Sequence, residues 1–133
     1  MSNRVVVNIN NEWDIVLARQ KGREEAKRLN FSVVDQARIT TAISELARNI
    51  YLYALPGKII IEELIEHSKH GLKIHAIDEG PGISDVRKVL EDGYSTSGGL
   101  GAGVPGAKRL FDVFSIESKV GVGTEIIGIK WKK

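Results

Sequence analysis

Residues 72–82 read LKIHAIDEGPG, an alternating extended run that ends on a carboxylate and enters a Gly-Pro-Gly turn. Period-two alternation puts Asp78 on the same face as Leu72, Ile74 and Ala76. A carboxylate on an apolar face is costly unless something donates hydrogen bonds to it. Gly80 and Gly82, which carry no Cβ, let a second molecule approach the backbone closely at that strand end. A turn residue closing a strand by bonding its own backbone would look the same locally. The segments on either side decide between the two.

Upstream, Val5, Val7 and Ile9 alternate with Val6 and Asn8 as a first strand. Asn10 or Asn11 can cap a helix running to about Leu29, with Ile15, Ala18, Gly22 and Ala26 near helical spacing. Ser32, with Asp35 three residues on, makes a variant capping box for a second helix, which should run to about Tyr53 before Pro56-Gly57 stops it. Extended runs follow at 58–66 and 72–78, joined by a polar turn containing His70-Gly71. Downstream we expect a short helix at 84–91, a Gly-rich stretch, and a helix from about Gly103 to Leu110. Two strands near 113–118 and 124–131, split by the turn 120–123, complete the pattern. Strands and helices in this order predict a two-layer α/β sandwich, with a mixed, largely antiparallel sheet covered on one face by helices. No linker divides the chain, so one domain over residues 1–133 is expected.

Three further segments carry chemistry. In SELARN, Ile39, Ile43, Leu46 and Ile50 form one apolar stripe, and Glu45 and Asn49 fall together beside it, one turn apart. An amide oxygen suits a hard cation such as Mg²⁺, and a carboxylate can accept a proton from a hydroxyl. From 92 to 106 the chain carries six glycines among polar residues. Their backbone N–H groups can cradle a triphosphate beside the start of the next helix. GVGT places Thr124 near the last strand, where it can support Asp78 through a water. An adenine amino group would then satisfy Asp78. The four segments together describe a pocket for ATP and Mg²⁺.

Other readings fail on context. Gly101, Gly103 and Gly106 match the dinucleotide fingerprint, but they follow a polar loop rather than a strand. Gly-Lys-Ser/Thr, HRD and DFG are all missing, which excludes a P-loop and the eukaryotic kinase pattern. There are no cysteines, so disulfides and zinc-thiolate sites are excluded. The three histidines read as surface residues. Net charge is only +2, and the basic end at 130–133 reads as a solvated strand end, so nucleic acid is not expected. Trp13 and Trp131 read as packing residues. No apolar run approaches the roughly 20 residues that span a bilayer, and no signal peptide is evident, which suggests a cytoplasmic protein with no membrane partner.

SELARN, DEGPGI, the Gly-rich lid and GVGT resemble the sequence boxes of the Bergerat-fold (GHKL) ATPases and kinases. The size and the stretches EWDIVLARQ, DQARITTAISELARNIYLYA and DGYSTSGGLGAG are similar to the stand-alone serine/threonine kinases of the bacterial anti-sigma group, particularly its stressosome switch kinases. The resemblance implies that Asn49 holds Mg²⁺, Glu45 acts as base, Asp78 reads adenine, and Gly80 and Gly82 shape its edge. It also implies that Gly98, Gly99, Gly101 and Gly103 form the lid, and that Thr124 assists Asp78. Implied partners are STAS-domain scaffold and antagonist proteins as substrates, and a PP2C-type phosphatase activated by contact after release. Arg48 and the IYLYA after Asn49 depart from the small-residue helix of anti-sigma relatives, which weakens direct sigma-factor binding. An anti-sigma kinase and a nucleotide-gated binding switch remain alternatives. Exposed residues around Arg19, Lys21 and Arg23 are a candidate partner surface.

Overall fold

The computed structural model describes residues 4–83 and 104–133. The chain runs β1 (Arg4–Ile9), α1 (Glu12–Arg28), α2 (Val33–Tyr53), β2 (Gly57–Glu66), β3 (Lys69–Asp78), α3 (Val104–Arg109), β4 (Val113–Lys119) and β5 (Gly123–Trp131). The helix expected at 84–91 and the Gly-rich lid lie outside the described residues. The strands form one sheet in the order β1-β2-β3-β5-β4, and all four described pairings are antiparallel. The expected mixed component is therefore not among them.

Both long helices start where a side chain replaces a missing backbone partner. Asn11 caps α1: its Oδ1 accepts from the Asp14 N–H at 3.3 Å, and the Asp14 carboxylate accepts back from the Asn11 N–H at 3.1 Å. Ser32 caps α2 through the Asp35 N–H at 3.1 Å. Here the expected box is only half made, because the Asp35 carboxylate turns to Arg38 at 2.9 Å and lies 3.8 Å from Lys130. A charged partner outcompetes a neutral N–H for a carboxylate.

Ile39, Ile43, Leu46 and Ile50 of α2 meet Ile59, Ile61, Leu72 and Ile74 of the sheet, and each is at most 1% exposed. Burying one such side chain contributes about 1.5–3 kcal/mol, so this interface dominates the stability of the layer pair. Gly22 lets α1 close onto α2, since a Cβ there would stand 2.1 Å from Ile43 Cδ1.

The β2–β3 turn differs from the expectation. It consists of His67 and Ser68, both at positive φ (50° and 66°), while His70 and Gly71 sit within β3 opposite Ile65 and Leu64. A two-residue turn with both residues left-handed matches the strand twist. Gly71 is a glycine for another reason: the Trp131 ring lies on it, with Cε3 2.6 Å from where a Cβ would stand. The C-terminal basic run also departs from its reading, because Lys130 is 6% exposed and held by Asp112 at 3.3 Å and Asp35 at 3.8 Å. On β5 its position alternates with Thr124 and Ile126 toward the helices, leaving the remaining basic residues at the strand end. Trp131 packs as expected, whereas Trp13 is 79% exposed.

Candidate functional site

Because β3 runs antiparallel to both of its neighbours, its C-terminal end meets the N-terminal ends of β2 and β5. Gly57, Asp78 and Thr124 stand in one row across the three strands. Asp78 points toward the helix layer and is only 8% exposed. Its Oδ1 accepts two backbone N–H groups, from Gly80 at 3.0 Å and from Thr124 at 3.1 Å. Its Oδ2 accepts no hydrogen bond among the described residues. Burial pushes this carboxyl above the ordinary carboxylate value, and the two N–H bonds only partly counter it. The result is a fixed acceptor with one oxygen saturated and the other without a donor among the described residues.

The backbone around Asp78 is closed on every side. A Cβ at Gly57 would lie 2.8 Å from the Ile77 carbonyl oxygen, and one at Gly80 would lie 2.5 Å from Ala54 Cβ at the end of α2. Gly82 (φ +78°) and Gly123 (φ +147°) adopt conformations that side chains disfavour, and a Cβ at Gly123 would fall 2.1 Å from the Asp78 carbonyl oxygen. Backbone bonds pin the loop after β3: Glu79 N–H to the Pro56 oxygen, and Gly121 N–H to the Pro81 oxygen, both at 2.9 Å.

Ser118 completes that clamp, and the sequence reading missed it. Its Oγ accepts the Ile83 N–H at 2.7 Å and donates to the Gly123 carbonyl at 3.2 Å. Having spent its one proton there, it must accept from the Thr124 hydroxyl 2.8 Å away. Thr124 therefore touches Asp78 through its backbone, while its hydroxyl serves Ser118. The available signal was alternation in β4, which places Ser118 on the inward face with Phe114 and Ile116.

Helix α2 carries the second half of the site. Ile50 reaches Gly57 and Ala54 reaches Gly80, so the last turns of α2 lie over the Asp78 row. Asn49, one residue before Ile50, is buried at 3% exposure, deeper than the helix border expected for it, and it is not without a partner. Glu45, one turn earlier, is half-buried with no hydrogen bond or ion pair among the described residues. Helix α3 rests near this helix with Val104 and Ala107 buried.

Gly98, Gly99, Gly101 and Gly103 lie outside the described residues. A depression of about 460 Å³ at the same strand end is lined by Asp78, Ser118 and Thr124 together with Ile77, Glu117 and Glu125. Alternation turns the last three side chains away from the helices, so the depression wraps the end of the strands and includes the Asp78 row. Among the described residues no group of three or more His, Asp or Glu side chains could hold a metal by itself. The donor set suits Mg²⁺ held by one amide oxygen together with phosphate and water. The histidines stand apart, with His75 bonded to Glu125 at 2.5 Å and His70 3.6 Å from Glu63.

The chain is 66% identical over 131 residues to the serine/threonine-protein kinase RsbT of Bacillus subtilis (strain 168), covering 98% of each. It is 32% identical over 105 residues to an anti-sigma F factor of Caldanaerobacter subterraneus subsp. tengcongensis, covering 74% of this chain and 72% of that one. Among solved structures it matches a Mycobacterium tuberculosis protein with RsbU and RsbW domains, at a TM-score of 0.65 and 15% identity. The match covers 100% of this chain and 33% of that one, and at such identity it concerns the fold alone. No protein-family model matches the sequence.

Proposed function

This chain belongs to the family of the RsbT serine/threonine-protein kinases, and on that premise we propose that it transfers the γ-phosphoryl group of ATP to a serine or threonine of STAS-domain scaffold and antagonist proteins. The observation that carries the ATP reading is the buried Asp78, with one oxygen fixed by two N–H groups and the other without a donor among the described residues. In this reading Oδ2 accepts the adenine amino group, while Gly80 and Gly82, which let the loop pack against Ala54 and the Lys119 backbone, shape the edge of its site. Asn49 offers its amide oxygen to Mg²⁺, and Gly98, Gly99, Gly101 and Gly103 close over the phosphates. Mg²⁺, when bound, neutralises charge on the phosphates and aligns them for in-line attack. Glu45 takes the proton from the attacking hydroxyl as its oxygen bonds to the γ-phosphorus and the bond to the β–γ bridging oxygen breaks. ADP and a phosphorylated partner result.

The proposal extends to signalling. Released from its scaffold, the kinase binds and activates a PP2C-type phosphatase by contact. We place it in the cytoplasm as a single kinase domain, residues 1–133. No helix among the described residues is long and apolar enough to cross a membrane. Similarity to the anti-sigma F factor keeps a second reading, in which the same site serves an anti-sigma kinase. Sigma-factor capture dependent on nucleotide would favour it.

The test is Mg²⁺-dependent transfer of labelled γ-phosphate to a STAS-domain protein, with Glu45→Ala as the comparison. Loss of transfer by at least about a hundredfold with ATP affinity retained is expected for a removed general base. Undiminished transfer in the variant would remove Glu45 from the role. Absent transfer by the wild type despite ATP binding would leave a nucleotide-gated binding switch.

A further inference from the structure

Between α1 and α2, on the side of the helix layer away from the sheet, runs a groove of about 270 Å³. Ile15, Val16, Tyr51 and Leu52 line it with apolar surface, and Arg19 and Arg48 face it from opposite helices. Both arginines are exposed, and among the described residues neither has an ion pair or hydrogen bond. Their neighbour Lys21, by contrast, pairs with Glu24 at 3.7 Å. Glu12 closes the end of the groove away from Arg19. Exposed apolar side chains occur on the same two helix segments, with Trp13 at 79% and Leu17 at 41% on α1 and Leu52 at 52% at the end of α2, and Leu52 lines the groove itself. The two guanidiniums, bonded to no carboxylate among the described residues, give this end of the groove a positive margin that suits an acidic guest.

We propose that this groove docks an acidic amphipathic helix of a protein partner. Its aliphatic side chains seat against Val16, Tyr51 and Leu52, and its carboxylates meet Arg19 and Arg48. Helix-in-groove recognition asks for an apolar trough with charged margins of opposite sign to the ligand, which is the arrangement here. Glu12 sets the direction, since the carboxylate-rich end of the guest must lie toward Arg19 and its basic or N-terminal end toward Glu12. Glu45, Arg48 and Leu52 follow an i, i+3, i+7 ridge on α2, so a helix in the groove passes within two turns of Glu45. Docking thus holds the partner next to the carboxylate that the phosphotransfer reading uses. The groove itself needs neither nucleotide nor Glu45, and the two readings stand or fall separately.

The probe is a stapled helical peptide with leucines at i, i+4 and i+7 and glutamates on both flanks, beside a twin with every glutamate replaced by lysine. Binding is followed by Trp13 fluorescence in a Trp131→Phe background, and by amide chemical shifts. The acidic peptide should bind, move the emission of the exposed Trp13 to shorter wavelength, and shift amides of 15–19 and 48–52. Arg19→Glu with Arg48→Glu, both on exposed positions that leave the core intact, should weaken it by about tenfold or more and admit the lysine twin. Equal binding of both peptides, no binding of either, or shifts confined to the sheet would overturn the proposal. So would a change of oligomeric state in the charge-reversed protein without peptide binding, which would assign the groove to a second copy. Glu45→Ala should bind the acidic peptide as the wild type does, so loss of phosphotransfer alone leaves this inference intact.

Discussion

The free oxygen of Asp78 sits where water is largely withheld, and the cost falls on the charged form. Between the ordinary carboxylate value and its raised one, the folded chain holds more proton at this group than the unfolded chain does. Stability from this group therefore falls as pH rises through that window. Asp78→Asn keeps an oxygen for the Gly80 and Thr124 N–H groups, removes the buried charge and turns an NH₂ toward the ligand. We expect a melting temperature unchanged or raised by a few degrees, with ATP affinity lower by at least about tenfold, because a charged acceptor has become a donor. Calorimetric titration with ATP and thermal melts from acid to neutral pH check both halves. Retained ATP affinity would mean that Asp78 does not read the base. Ser118 acts differently, through the backbone it holds. Ser118→Ala leaves the Ile83 N–H without its partner, so a loss of about 1–3 kcal/mol in urea unfolding is expected. A rise in KM for ATP larger than the change in kcat should accompany it.

At the scale of elements, legibility followed range along the chain. Each long helix announced itself through a local cap and a 3.6-residue stripe, and Ile15, Ala18, Gly22 and Ala26 are all buried as that stripe requires. The hairpin between β2 and β3 misled because Gly71 has the chemistry of a turn residue, and only the distant Trp131 explains it. Ser118 and Lys130 were invisible for the same reason: their partners lie 35 residues away at Ile83, and 18 away at Asp112. Asp78 was legible because a carboxylate on an apolar strand face violates a local rule. The lid glycines fall outside the described residues, and Glu45 and Asn49 were placed by helix geometry alone. The true turn invites its own test. His67→Asn with Ser68→Gly supplies residues that tolerate positive φ, and should stabilise the protein by about 1 kcal/mol in urea unfolding. A loss of stability would mean that the two side chains hold the turn in some other way.

Across the whole molecule, ion pairs tie the end of the sheet remote from Asp78 to the helices. Arg28 reaches Glu63 on β2 at 3.0 Å, and this hydrogen bond holds the Glu63 carboxyl below its usual range against the opposing effect of burial. Burial pushes the Asp112 carboxyl up, but the Trp131 N–H and Lys130 outweigh it and bring it below the usual range. A depressed carboxyl contributes stability that is fully present above its unfolded value and is lost as pH falls through the folded one. Glu63 and Asp112 thus oppose Asp78 in sign. Urea midpoints measured from neutral pH downward should fall below the ordinary carboxylate range, less steeply in Glu63→Gln, whereas Asp78→Asn should lose only the gain in stability on acidification that the wild type shows above that range. Identical slopes in all three would show that other groups govern acid unfolding.

The row of Gly57, Asp78 and Thr124 also has a consequence in time. Asp78 and the Thr124 N–H that holds it are 46 residues apart. At ribosomal rates of about 5–20 residues per second, roughly 2–9 s separate the synthesis of the two. Throughout that interval β3 can pair with β2 but presents its other edge bare, and the carboxylate lacks one of its two donors. A nascent chain that has already built its helix layer therefore still lacks the completed Asp78 row, which arrives only with the strand that also seals the sheet.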